Sequence, residues 1–323
     1  MMISVILLAA YVIDRMIGDP RSLPHPVIGM GKAITAIEKA IRRYVSRPRS
    51  LRLAGILLPL IVVGGAWALT AGILWLLSLV SPWLMWAAEA WLISTTIASK
   101  GLKHAGMAVY NELRKGDLPA ARQALGMIVG RDTEHLDSPE IVRGTVETVA
   151  ENIVDAIISP LFYALLGGAP LAMAYRAVNT LDSMVGYKNE KYRELGWASA
   201  RLDDVANLIP SRLTALLVAL CASLLRLDWR RSLRTVIRDA RLHPSPNSGY
   251  PESAVAGALG IRLGGENVYH GIRSFRAYMG DPLRIMEPED IIQTSRVMLL
   301  CSSIFVCLCA VAAWIGIGGW AGI

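Results

Sequence analysis

Uncharged apolar runs alternate with polar, mostly basic segments along this chain. Residues 53–80 form the strongest run, interrupted only by Gly64–Gly65. Ser81–Pro82 reads as a turn. Residues 83–99 then return as a second apolar run, with Trp83, Trp86 and Trp91 placed as at a membrane interface. No charge falls between Arg52 and Glu89, whereas a bilayer span needs only about 20 apolar residues. The pattern predicts a transmembrane hairpin over 53–99. A further run, 297–320, predicts a last span within a C-terminal segment 297–323.

Between these runs the pattern changes. Residues 100–152 read as water-exposed helices. Residues 120–129 have helical periodicity after Asp117 and Pro119, and a second helix starts near Ser138–Pro139, with Ser138 as N-cap and Pro139 in the first turn. Residues 153–225 read as membrane helices with acidic motifs. Within them, 153–181 is broken by Pro160, Gly167–Gly168 and Pro170, and holds Asp155 and Arg176. It fits one tilted span or a broken, re-entrant pair, and a break there suggests a cavity, because irregular backbone at membrane depth survives only against protein or water. The run 213–225 must borrow from 205–212 to span. Residues 226–296 are polar and arginine-rich, with no sheet expected. The fold class expected is all-α: a polytopic integral membrane protein with about four to six membrane helices and helical cytoplasmic segments.

Composition supports that reading. The chain is 54% hydrophobic and 18% charged, against about 45–50% and about 25% in soluble domains. The net charge of +7 is assigned to cytoplasmic loops, lipid headgroups and phosphorylated substrates, and not to nucleic acid. The N-terminal segment 1–52 carries Lys32, Lys39, Arg42, Arg43, Arg47, Arg49 and Arg52, so its basic part is expected to be cytoplasmic, and 100–152 with it. One span over 153–181 would put 182–204 outside and 226–296 inside; a re-entrant pair reverses both. The apolar start, residues 2–17, has no basic n-region or cleavage site and reads as retained. Cys221, Cys301, Cys307 and Cys309 lie in apolar runs and read as small hydrophobes.

Several groups of residues have the chemistry of a site. Glu147, Glu151 and Asp155 recur every four residues, on one helical stripe. Like charges at that spacing oppose the helix, so a cation such as Mg²⁺, or a substrate, is expected to offset them. The bland alternative is a solvated acidic face with Arg143 paired to Glu147. Asp203, Asp204 and Asn207 present hard oxygen ligands flanked by Arg201 and Arg212, although paired acids are also common at helix starts. Asn179 and Asp182 precede Gly186 and Lys188. Residues 243–253, HPSPNSGYPES, form a rigid turn before a small-residue helix, where backbone amides suit a phosphate or simply cap the helix. His25 is held between two prolines.

Taken together, GDPRSLPHPVIGMGK, VGRDTEHLDSPEIVRGTVETVAENIVDAIISPLFY, YRAVNTLDSMVGYK, ARLDDVANLIPSRLTALL and HPSPNSGYPESAVAGALGIRLGGENVYHG resemble the adenosylcobinamide-phosphate synthase family in order and spacing, over nearly the whole chain. The resemblance implies a multi-pass enzyme of the cell (inner, cytoplasmic) membrane in cobalamin biosynthesis. It implies an ATP- and Mg²⁺-dependent acid–amine ligase that joins adenosylcobyric acid to aminopropanol phosphate, beside other membrane enzymes of late cobalamin assembly. Physical chemistry then distributes the roles. Glu147, Glu151, Asp155 and Asp203 are the catalytic candidates, and Glu151, Asp155 and Asp204 the metal candidates. His25, Arg131, Asp132, Asn179, Asp182, Lys188 and Arg201 are candidates for substrate or phosphate, with Ser245, Asn247 and Gly249 as a backbone cradle. Two rival readings remain: a transporter, which should show two related halves, and a non-catalytic signalling relative.

Overall fold

Prolines open several helices where polar segments give way to new ones. Pro26, Pro48, Pro82 and Pro139 all sit in a first turn, where the missing N–H has no intrahelical partner to lose. In the computed structural model, residues 2–18, 25–187, 189–269 and 271–317 are described. The helices run α1 (Met2–Met16), α2 (Pro26–Tyr44), α3 (Pro48–Ala54), α4 (Leu57–Val80), α5 (Pro82–Ser94), α6 (Ser99–Lys115), α7 (Leu118–Gly126) and α8 (Ser138–Ile153). A π-helical turn, Val154–Ile158, joins α8 to α9 (Ser159–Val185). Then come α10 (Trp197–Ala206), α11 (Leu208–Leu224), α12 (Trp229–Asp239), α13 (Gly249–Leu259) and α14 (Glu289–Trp314).

The expected helical, polytopic architecture is present. Among the described residues, three runs are long and apolar enough to cross a membrane: Pro48–Val80, Ser138–Val185 and Glu289–Trp314. A fourth is added if α10 and α11 count as one broken span. The second arm of the predicted hairpin is shorter than its apolar run. α5 has 13 residues, about 20 Å of helix against a hydrocarbon core of about 30 Å. The hydroxyls of Ser94, Thr95 and Thr96 each donate to a carbonyl three residues back as the helix ends, and such local bonds compete with helix continuation. Hydropathy registers the apolar residues and misses that competition.

Contacts divide the chain into two units. The first comprises Met1–Ala98, Ser159–Asn207 and Val306–Ile323; the second comprises Ser99–Ile158 and Leu208–Phe305. The core of the first joins α2, α4 and α9 through Met30, Ile34, Ile41, Leu58, Val62, Met173, Ala177, Leu181 and Val185, with Leu195 from the following loop. In the span Pro48–Val80 only 22% of the apolar window is buried by protein, against 78% in Ser138–Val185. The first of these therefore presents apolar side chains outward, as a lipid-facing helix does, and the second is wrapped by protein.

The break expected near Gly167–Gly168 is real. Both residues leave helical geometry inside α9, and the N–H of Ala169 on its far side donates to Glu89 Oε1 at 3.4 Å. A buried carboxylate from α5 thus caps the restarted helix, where the exposed amides carry partial positive charge.

In the second unit, residues expected to be wholly non-sheet form an antiparallel hairpin, β1 (Arg262–Tyr269) and β2 (Ile272–Gly280). Its strands mix glycine and arginine with isolated apolar residues, so no alternating run marks them. The pairing is made by register, with a shift between Leu263 and Gly265.

Gly168 has φ +61° and ψ −157°, a region that side chains other than glycine enter at a cost of about 1–3 kcal/mol, and a Cβ there would overlap Glu89 Oε1. Gly168→Ala should lower the melting temperature of the detergent-purified protein. Gly64→Ala, where a Cβ meets nothing within 4 Å, should leave it unchanged or raise it.

Candidate functional site

Helix α8 is the backbone of the site. Its N-cap is Asp137, one residue earlier than Ser138, with a complete capping box between Asp137 and Glu140. A carboxylate cap satisfies the first amides and suits the helix dipole. Glu147 and Glu151 then fall one turn apart, but the π-turn begins at Val154. An extra residue in the turn shifts the phase, so Asp155 does not continue the ideal stripe.

Glu147 is buried and fully engaged. Arg131 Nη1 lies 2.9 Å from one carboxylate oxygen, Arg143 Nη1 lies 3.8 Å from the other, and the Gly264 N–H donates to that second oxygen at 2.8 Å. Arg131 also donates to Asn267 Oδ1, and Arg143 to the carbonyls of Gly264 and Glu266. The register shift in β1 frees Gly264 for this role. It has φ +82°, and a Cβ would strike the Ala277 carbonyl. On α8, Gly144 leaves the space that the Arg131 guanidinium fills. Asp132 pins the hairpin from the same loop: its N–H donates to the Val268 carbonyl and its side chain accepts from the Gly271 N–H, both at 2.8 Å.

Glu151 faces the turn before α13. It accepts from Ser248 Oγ at 2.8 Å. The turn differs from the expected phosphate cradle. The amides of Asn247 and Ser248 are donated to Ser245 Oγ, and the Ser245 amide to His243 Nδ1. Asn247 is buried, with Oδ1 accepting from Ser211 Oγ and Arg212 Nη1. A Cβ on Gly249 would strike the Ala240 carbonyl. Ser245, Asn247 and Gly249 therefore build the turn from within, and the Asn247 and Ser248 amides do not point at a ligand.

The opening lies beside the turn. A cavity of about 150 Å³ is lined by residues 128–130, Arg131, Glu147, Thr148, Glu151, Asn152, Tyr269 and Arg276. Arg276 Nη2 donates to the Tyr269 hydroxyl at 2.9 Å. The buried Nε of Arg131 has no hydrogen-bond partner, as expected of a donor held ready for an acceptor. Among the described residues, no group of three or more His, Cys, Asp or Glu side chains is placed to hold a metal ion. Glu151 and Asp155 thus belong to no such group.

The remaining candidates belong to the first unit. Asp203 accepts from Asn207 Nδ2 at 3.1 Å, and Asn207 Oδ1 accepts from Ser159 Oγ and the Tyr175 hydroxyl at 2.6 and 2.8 Å. Arg201 pairs with Asp204 at 3.0 Å on the surface. Asn179 accepts from Arg176, and Asp182 closes the end of α9 through its carbonyl to the Gly186 N–H. His25 is the N-cap of α2, its Nδ1 accepting from the Val27 N–H. Lys188 lies outside the described residues.

Sequence reasoning missed His243, Glu252, Asn267, Tyr269 and Arg276 as site members. For Glu252 a signal existed: it is the one carboxylate in the small-residue helix α13, where burial was foreseeable. For the hairpin residues there was none. His243 Nε2 and Glu252 Oε1 face each other at 3.6 Å, both buried and without a hydrogen-bond partner. Burial, reinforced by Glu151 and Glu147, pushes the Glu252 carboxyl well above the usual range. Burial also holds the His243 imidazole below its ordinary value, against the pull of Glu151. Burial thus disfavours the charged form of both groups. Because Nδ1 accepts from a backbone N–H, the neutral ring carries its proton on Nε2, toward Glu252.

A carboxyl raised in the folded state adds stability below its unfolded pKa and loses it as pH rises through the folded value. Glu252→Gln cannot ionise. In thermal melts of purified protein across pH, the variant should lose less stability than wild type on the alkaline side. Equal destabilisation at every pH would mean that the carboxylate charge itself is required.

The family described as CobD/Cbib protein matches residues 7–298. A cobalamin biosynthesis protein CobD of Klebsiella pneumoniae is 50% identical over 311 residues, 96% of each chain. CbiB of Salmonella typhimurium is 49% identical over 310 residues, 96% of this chain and 97% of its own. CobD of Geobacter metallireducens is 49% identical over 310 residues, 95% of each. No solved structure matches. The helical membrane architecture and these matches agree, and the chain belongs to the CobD/CbiB family of cobalamin biosynthesis proteins.

Proposed function

We propose that this chain is an adenosylcobinamide-phosphate synthase of the cell membrane, forming an amide between a carboxylate of adenosylcobyric acid and the amine of aminopropanol phosphate at the expense of ATP. The observation that carries the reading furthest is the cavity along α8, where two guanidiniums, Arg131 and Arg276, and one carboxylate, Glu151, converge. It measures about 150 Å³. That is room for a small phosphorylated amine and not for a corrin ring.

A carboxylate resists attack by an amine because its carbonyl carbon is electron-rich. Phosphorylation by ATP turns one oxygen into a leaving group; the amine nitrogen then bonds to the carbonyl carbon, phosphate departs, and the nitrogen loses a proton. Arg131 and Arg276 suit the phosphate oxygens of the amine substrate, since guanidinium donors fit that geometry and retain their charge. Glu147 has no open oxygen. Its part is to hold Arg131 and Arg143 in place, and not to accept a proton.

Glu151 has room for a partner besides Ser248 and is the group for which we propose metal binding or acceptance of the amine's proton. Mg²⁺ commonly takes one or two carboxylates and completes its shell with phosphate oxygens and water. A single carboxylate beside Asn152 and Thr148 fits an ion that arrives on a nucleotide. Held there by Glu151, such an ion would supply neutralisation of the phosphate charge. Asp155, Asp203 and Asp204 stay as candidates for orienting the corrinoid carboxylate or the nucleotide.

Glu151→Gln should lower turnover by at least about 100-fold, the scale of a lost general base or metal ligand. The assay is mass detection of product from adenosylcobyric acid, aminopropanol phosphate and MgATP. Normal turnover across a Mg²⁺ titration would place the chemistry elsewhere. Arg276→Met should raise KM for aminopropanol phosphate more than for ATP.

We place residues 100–152, and so ATP use, on the cytoplasmic side with the basic segment 1–52, α4 and the short α5 together carrying the chain into the bilayer and back. Lys115 is exposed at the end of α6. A cysteine at Lys115, in a chain lacking the native four, should resist a membrane-impermeant thiol reagent in intact cells and react after permeabilisation. Labelling from outside would overturn the sidedness.

A further inference from the structure

Helix α12 is built inside out. Its buried positions are Ser232, Thr235 and Asp239, small or polar side chains that let it pack closely on α13. Ser232 Oγ donates to the Ala254 carbonyl, and Asp239 accepts from the Gly280 N–H. Its apolar residues lie on the other side. Trp229 and Ile237 are 41% and 83% exposed, and Leu233 between them is half-buried. At about 100° per residue, Trp229, Leu233 and Ile237 fall within an arc of about 80°. Beside that stripe runs a second one of exposed Arg226, Arg230, Arg234 and Arg241. The acids of the helix make their close ion pairs with other arginines: Asp228 caps the helix and pairs with Arg231, and Asp239 pairs with Arg238, so that of the exposed row only Arg234 feels Asp228, at longer range.

The neighbouring helix says where this face lies. On α11, Leu216, Leu220 and Leu224 are exposed one turn apart, an outward apolar stripe that ends with the helix. Arg226 then turns the chain sharply with φ +59°, and the Leu227 N–H bonds back to the Ala222 carbonyl. α12 starts at Trp229, at the level where the lipid-facing stripe of α11 stops. A solvated helix would gain nothing by holding tryptophan and isoleucine outward; a helix at that level gains by placing them among acyl chains with arginines at the phosphates.

We propose that α12 is an interfacial anchor, with the Trp229–Leu233–Ile237 stripe inserted at the acyl boundary and the Arg226–Arg230–Arg234–Arg241 row binding the headgroups of anionic phospholipids. The apolar stripe sets insertion, and the arginine row sets preference for anionic over zwitterionic lipid. The surface is separate from the cavity along α8 and does not depend on the reaction assigned there.

The test uses the full chain in nanodiscs of phosphatidylcholine alone or with phosphatidylglycerol. A nitroxide at Ile237→Cys, in the chain lacking its native cysteines, should collide preferentially with oxygen over a water-soluble nickel complex, and more so with phosphatidylglycerol. Arg230→Glu with Arg234→Glu should abolish the dependence on phosphatidylglycerol. A label at position 237 as nickel-accessible as one at Lys115, in both lipids, would overturn the proposal. Exclusion of both reagents with spin–spin broadening would also overturn it, in favour of a second copy of the chain. Exclusion of both without broadening would overturn it in favour of an acidic protein partner. If the cysteine-free chain does not fold, quenching by brominated lipid in the native chain, minus that in Trp229→Phe, reads the same depth: no difference between the two would refute insertion.

Discussion

The second unit depends on one buried carboxylate. Glu147 holds Arg131 from the loop before α8, Arg143 from its own helix and the Gly264 amide from the hairpin. The loop before α8, α8 itself and the distant hairpin meet on its two oxygens. Taking these charges out of water is expensive, and removing one partner from such a group leaves an uncompensated buried charge, at a cost of about 3–5 kcal/mol. The arrangement is therefore justified by what it positions. It holds Arg131 in the lining of the cavity and fixes β1 at its bulge, and β2 adds Arg276 to the same lining. Its negative charge also adds to the burial that raises the Glu252 carboxyl above the usual range.

That dependence changes how the acidic stripe of α8 is understood. Equal spacing suggests equal roles, and the structure separates them. Glu147 is neutralised by arginines, as the bland reading of Arg143 anticipated in part. Glu151 sits on the cavity with a hydroxyl on one oxygen. Asp155 is moved by the π-turn. The π-turn thus takes Asp155 out of phase, while Glu147 and Glu151, still one turn apart on α8, differ only in what they meet. The turn at 243–252 underwent a similar change. Its rigidity was real, but Ser245 Oγ and His243 Nδ1 consume amides that an anion would need.

The first unit solves a different problem. Its long helices sit in an apolar surround, where each backbone group must find a partner within the protein. The break at Gly167–Gly168 satisfies that demand with a carboxylate from a neighbouring helix. This is the same device as in the second unit, a buried acid holding backbone amides, applied to a break instead of a bulge.

Much of this was legible in the sequence. The apolar runs, the helical class, the break at the double glycine and the resemblance of the motifs all follow from local residue order, because hydropathy, proline and glycine act on the chain where they stand. Glu151 and Arg131 were legible as candidates for the same reason. The shortened α5, the hairpin, the pairing of Glu147 and the His243–Glu252 contact were decided only by tertiary structure. The Gly264 amide reaches Glu147 across 117 residues; the others join groups close in sequence whose pairing and burial hydropathy does not register, and a carboxylate's role is set by the charges, donors and water around it. Sequence spacing places an acid on a face; the structure determines what that face meets.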